Sequence, residues 1–68
     1  MDVVIRLGKR VRALRREAGL SQEELAFRVG MKRSYVSDLE RGTRNPSVRA
    51  LARLADGLSV HPARLLDD

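Results

Sequence analysis

Residues 21–42 read SQEELAFRVGMKRSYVSDLERG, and two short helices meeting at a tight corner can be read from this stretch. Ser21 stands three residues before Glu24, the spacing of a capping box: the hydroxyl accepts from a first-turn N–H while the carboxylate reaches back to the Ser21 N–H. A helix over 22–29 follows and ends at Gly30, which takes the positive φ that a tight turn needs. The next helix starts near Lys32, buries Val36 and Leu39, and stops at Gly42. Ala26 sits where the two helices must cross closely, and Val36 fills the angle between them from the other side. Leu25, Val29, Met31 and Leu39 take the remaining inward positions.

So many position-specific requirements met together single out a helix-turn-helix over about residues 21–41, the unit that lays its second helix in the DNA major groove. The bland alternative is a helical hairpin whose apolar residues serve only a core. Uniformly apolar inward positions and a formal charge of +5 favour a polyanion partner instead.

Outside this stretch helix signals recur and strand signals are missing. Val4, Leu7, Val11, Leu14 and Ala18 fall at helical spacing and predict a first helix ended by Gly19. Gly8 lies inside it, tolerable where another backbone packs closely. Thr43–Arg44–Asn45–Pro46 is a loop by composition; Ser47 caps a fourth helix with an inner face of Val48, Leu51, Ala55 and Leu58. A fifth short helix begins at Pro62 and carries Leu65 and Leu66. The expected fold is all-α: one compact five-helix domain over residues 1–68, with short links.

Composition excludes much else. The chain of 68 residues has no Cys and a single His, so neither a disulfide framework nor a Cys- or His-paired metal site is expected. His61 reads as a loop or cap residue. Glu23–Glu24 and Asp67–Asp68 are adjacent carboxylates whose side chains diverge, and read as helix-terminal charges. No enzyme activity, cofactor or small-molecule ligand is expected. No apolar run approaches the roughly 20 residues of a membrane span, so the reading is a soluble, cytoplasmic chain.

Leu20–Ser21–Gln22–Glu23–Glu24–Leu25–Ala26, then Gly30, then Leu39–Glu40–Arg41–Gly42 resemble the Cro/C1-type (Xre family) helix-turn-helix. Arg33–Ser34–Tyr35–Val36–Ser37 and residues 41–47 are similar to a subset that includes controller proteins of restriction–modification systems. The resemblance runs from about Leu7 to Leu66. It implies a compact lambda repressor-like fold and a transcriptional regulator or repressor. Phage repressors and antitoxins share the motifs, so an antitoxin-type protein-interaction module with secondary DNA binding is the alternative. One departure is local: Ser59 stands where the family often ends its fourth helix with Gly, and Gly57 falls inside that helix.

The exposed face of helix three supplies the expected base-reading set: Arg33, Ser34, Tyr35, Ser37 and Asp38. A guanidinium at Arg33 can give two hydrogen bonds to guanine O6 and N7, with a phosphate contact as its rival. Ser34 and Ser37 are short enough for close approach. By resemblance Tyr35 contacts the DNA backbone or stacks beside bases; packing on the domain surface is the other reading. Asp38 either accepts from cytosine N4 or, the preferred reading, holds Arg41 or Arg33 in position. Backbone contacts are expected from Gln22, Lys32, Arg41, Arg44 and Asn45, Gln22 also steadying a helix-three side chain.

Most of the charges Arg6, Lys9, Arg10, Arg12 and Arg16 on helix one are expected to form a solvated face that adds long-range attraction to DNA. This face lacks the aromatics of a membrane-surface helix. Arg15 stands at the edge of the buried stripe, and the resemblance implies an ion pair with Glu40. Phe27 is expected to be a partly buried packing residue. One such unit reads few base pairs, so a homodimer on a palindromic operator is expected, pairing through Leu58, Val60, Ala63, Leu65 and Leu66. With no room for a sensor domain, regulation would act through concentration, operator spacing or contact with RNA polymerase.

Overall fold

The computed structural model describes residues 2–66; the expectation for Asp67 and Asp68 lies outside them. Four α-helices run α1 (Val3–Glu17), α2 (Gln22–Val29), α3 (Arg33–Glu40) and α4 (Val48–Gly57). Among the described residues there is no strand. The fifth helix expected from Pro62 is a correction: Pro62–Leu65 forms one 3-10 turn. Pro62 does stand at its start, and His61 caps it through Nδ1, which accepts from the Ala63 N–H at 3.1 Å.

Each α-helix begins and ends for a local reason. The Asp2 carboxylate caps α1, accepting from the Val4 N–H at 2.7 Å, and Ser47 caps α4 by accepting from the Ala50 N–H. At α2 the capping box is complete: Ser21 Oγ accepts from the Glu24 N–H and Glu24 Oε1 from the Ser21 N–H. All four helices close with the same two backbone bonds, as in Met31 N–H to Ala26 O with Gly30 N–H to Phe27 O. That motif needs a left-handed residue, supplied by Gly19, Gly30 and Gly42 and, after α4, by Ser59 at φ 58°. The place where glycine is usual thus keeps its geometry with a serine.

One core joins the helices. Leu7, Val11 and Leu14 of α1 meet Leu25, Ala26 and Val29 of α2, Val36 and Leu39 of α3, and Leu54 and Ala55 of α4. Met31, Tyr35, Leu51 and Val60 pack half-buried around it. Gly8 is indispensable to this packing: a Cβ there would lie 2.3 Å from Leu39 O and 2.9 Å from Glu40 O, so α1 and α3 touch backbone to backbone.

The structure corrects four packing expectations. Ala18 is exposed, because the chain has already left the helix there. Val48 is 83% exposed: it is the first residue of α4, and helical side chains tilt towards the N-terminus, carrying it past the core's edge. Phe27 is 88% exposed, because the inward positions of the eight-residue α2 (25, 26 and 29) leave position 27 on the opposite face. Leu58 and Leu65, expected at a pairing surface, are buried in the core of the single chain, Leu58 in keeping with its place on the inner face of α4. The 3-10 turn folds back over α1 and α4, tied by Arg10 Nε donating to Arg64 O at 2.9 Å, and this drives Leu65 inward.

Candidate nucleic-acid interface

The sequence of α3 divides the helix into two faces. Val36 and Leu39 are sealed in the core, while Arg33 and Ser34 on the first turn, with Lys32 just before it, are exposed. Ser37 and Asp38 follow one turn on, half-buried, and Tyr35 packs on the core's edge. Five of the residues singled out in the sequence therefore share one outward surface, and Tyr35 borders it.

Behind that surface α3 is anchored by a paired charge. Arg15 donates to Glu40 through Nε at 2.6 Å and Nη2 at 3.0 Å, and to Leu20 O through Nη1 at 2.7 Å. The two side chains are only 10% and 4% exposed. A bidentate pair with all three guanidinium nitrogens donating is what makes such burial tolerable. The hydrogen bond to Glu40 raises the Arg15 pKa, the carboxylate's charge adds to this and burial opposes it, so the guanidinium stays charged. Gln22 Nε2 also donates to Glu40 Oε1, at 3.1 Å. Of the two roles considered for Gln22, this geometry displays the steadying of a helix-three side chain. A shallow groove lined by Arg15, Ser21, Gln22, Glu23 and Arg33 runs along this edge.

The other flank is organised by Asp38. Its carboxylate pairs with Arg41 and lies 3.8 Å from Arg44 Nη2, while its carbonyl accepts from the Thr43 N–H and Oγ1, both at 3.0 Å. Arg44 also lies over the Tyr35 ring, 4.8 Å from its centre. The loop after α3 thus presents Arg41 and Arg44 in defined places beside the outward face of α3. Asp38 holds Arg41, as one sequence reading had it, and adds Arg44. The Tyr35–Arg44 contact joins residues nine apart in sequence, and no sequence signal marked it.

Of the residues expected at a pairing surface, Val60 is half-buried, Ala63 is exposed and Leu66 is 46% exposed. Among the described residues no helix is long and apolar enough to cross a membrane.

A glycine corner, a first helix packed on the core through Leu25, Ala26 and Val29, and a polar outer face on the second define a helix-turn-helix unit of the Cro/C1 type. The chain belongs to that family, whose model, described as helix-turn-helix, matches residues 11–65. It is similar to Control protein C.BamHI of Bacillus amyloliquefaciens, 40% identical over 67 residues that cover 97% of this chain and 83% of that protein. Among solved structures it is similar to the restriction-modification controller protein C.AhdI from Aeromonas hydrophila, with 47% identity and a TM-score of 0.89 over 91% of this chain and 94% of that one. It is also similar to SinR, the master regulator for biofilm formation, solved in complex with DNA. There the identity is 39% and the TM-score 0.85, over 90% and 98% of the two chains.

Proposed function

We propose that this protein is a sequence-specific transcriptional regulator that binds double-stranded DNA in the cytoplasm with α3 in the major groove. The observation that carries the reading is the division of α3: its apolar face is sealed by the core, while Lys32, Arg33 and Ser34 stand exposed at its N-terminal end. The named relatives and the solved SinR–DNA complex support it.

In this reading Arg33, Ser34, Ser37 and Tyr35 face base edges, and Asp38 acts by holding Arg41 and Arg44. Gln22, Lys32, Arg41, Arg44 and Asn45 engage phosphates, which fix register without reading sequence. Two copies occupy a roughly palindromic site with half-sites about 34 Å apart. Val60, Ala63 and Leu66 form the pairing surface. Regulation works through operator occupancy, with contact to RNA polymerase from the bound dimer.

The test is selection of duplexes from a randomised pool, followed by salt titrations on the selected and a random duplex. A regulator of this kind keeps a ratio of roughly 10³ or more between them. Arg33→Ala is expected to cost about 1–3 kcal/mol on the selected duplex and relax preference at one or two positions. Arg44→Ala is expected to weaken both duplexes alike and lower the salt slope by about 1. Equal affinity of the wild type for both duplexes would refute the reading.

A further inference from the structure

Where α2 ends and α3 begins, the corner is held by a side chain from a third helix. Arg53 of α4 donates through the single nitrogen Nη2 to Val29 O at 2.6 Å and to Gly30 O at 3.1 Å. These carbonyls belong to the two peptide units on either side of the Gly30 Cα, so one nitrogen ties both torsions of the corner residue. Val29 O is also a last-turn carbonyl, of the kind that finds no partner inside its own helix. Gly30, at φ 71°, leaves the space: a Cβ there would lie 2.6 Å from Arg53 Nη2.

The tie is returned. Arg28 of α2 donates through Nη1 to Gly57 O at the end of α4, at 3.2 Å. Val29 Cγ1 fills the place a Cβ on Gly57 would take, 2.3 Å away. The C-terminal ends of α2 and α4, both bearing partial negative charge, are therefore cross-linked by two guanidinium groups. The rigidity of α4 is thereby brought to bear on the corner from which α3 departs. The lever is short but sensitive. α3 spans about 12 Å, and a rotation of about 10° at its start moves its far end by about 2 Å, more than a base-edge hydrogen bond tolerates.

We propose that Arg53 is a positioning residue for DNA reading: by bridging the two carbonyls that flank Gly30 it fixes the direction in which α3 leaves the corner. This rests on the DNA-reading function proposed above. Arg53 acts through the turn and contributes no base contact of its own.

The experiment compares Arg53→Ala with Arg49→Ala, an exposed charge loss on the same helix, and with Arg53→Lys, which keeps a cationic donor. Binding is measured on the selected and the random duplex at a temperature where circular dichroism shows each variant folded. The amides of Gly30, Met31 and Lys32 are followed by hydrogen exchange in the DNA-free protein. Arg53→Ala is expected to lose about tenfold on the selected duplex, the scale of one charged hydrogen bond. On the random duplex it should match Arg49→Ala, and its turn amides should exchange faster. Arg53→Lys should restore the ratio to within about threefold, since an ammonium can also donate to both carbonyls.

An equal loss on both duplexes, or unchanged turn amides, would overturn the proposal. Should Arg53→Ala fail to fold, Arg53→Gln is read by the same comparison. A wild type that selects no duplex refutes the DNA-reading function itself, and the turn amides then decide alone whether Arg53 fixes the corner.

Discussion

Gly8→Ala sets two local effects against each other, and the structure says which wins. In an isolated helix the change is favourable, since Ala exceeds Gly by about 1 kcal/mol at an interior position. Here the new Cβ would stand 2.3 Å from Leu39 O and 2.9 Å from Glu40 O. Carbon and oxygen rest against each other at about 3.3 Å, so roughly 1 Å of separation must open between α1 and α3. Neither obstacle is a side chain that could swing aside; both are backbone atoms in the last turn of α3. Forcing backbone apart in a packed core costs up to about 3 kcal/mol, and the helix-propensity gain offsets only a third of that. The expected net loss is about 2 kcal/mol, which for a chain of this size lowers the melting temperature by about 8–16 °C. Thermal unfolding followed by circular dichroism reads it directly. Ala13→Gly, on the exposed side of the same helix, calibrates propensity alone at about 1 kcal/mol. A Gly8→Ala variant that melts at or above the wild-type temperature would refute the close-approach argument.

Further outcomes follow from the caps and the buried pair. Glu40→Ala strands the Arg15 guanidinium in a nearly closed site and is expected to cost about 3 kcal/mol in urea unfolding; Arg15→Met with Glu40→Leu together should recover most of it. A double variant no more stable than the single one would show that the pair is not the source. Ser59→Gly should stabilise the fold by about 0.5 kcal/mol and so raise the unfolding midpoint, because it relieves a left-handed serine while keeping the backbone N–H at 59 bonded to Asp56 O; a lower midpoint counts against strain there. The backbone hydrogen bond from Ser21, with its hydroxyl partner, holds the Glu24 pKa below the ordinary glutamate value. A depressed folded pKa contributes stability above the unfolded value, and that contribution is lost as pH falls through the folded value. Glu24→Gln keeps an acceptor but cannot titrate, so its stability should fall less steeply on acidification; identical acid limbs would exclude the linkage.

Local chemistry made the helix boundaries legible. Ser21, Glu24 and Ser47 cap by short-range bonds, and Gly19, Gly30 and Gly42 stop helices because their own torsions allow it. These effects reach only a few residues along the chain. The outward face of α3 was legible for the same reason, since a helix with Val36 and Leu39 turned inward must turn Arg33 and Ser34 outward. The Arg15–Glu40 pair came instead from resemblance to a family, because a bond across 25 residues has no local signal.

What tertiary structure alone decided is where elements end against one another. Helical periodicity placed Val48 on an inner face and Phe27 was read as partly buried, yet a first-turn side chain overshoots the core and an eight-residue helix buries only one face. Leu65 had the composition of a pairing surface, and the folding-back of the 3-10 turn put it inside. Arg53 and Arg28 carry no local sequence signal, and their bonds exist only because the ends of α2 and α4 meet. The amino-acid sequence thus determined the helices, their caps and the outward face of α3, since those depend on neighbours in the chain. Packing decided which residues complete the core and which hold the corner, because both depend on helix ends that meet only in the folded molecule.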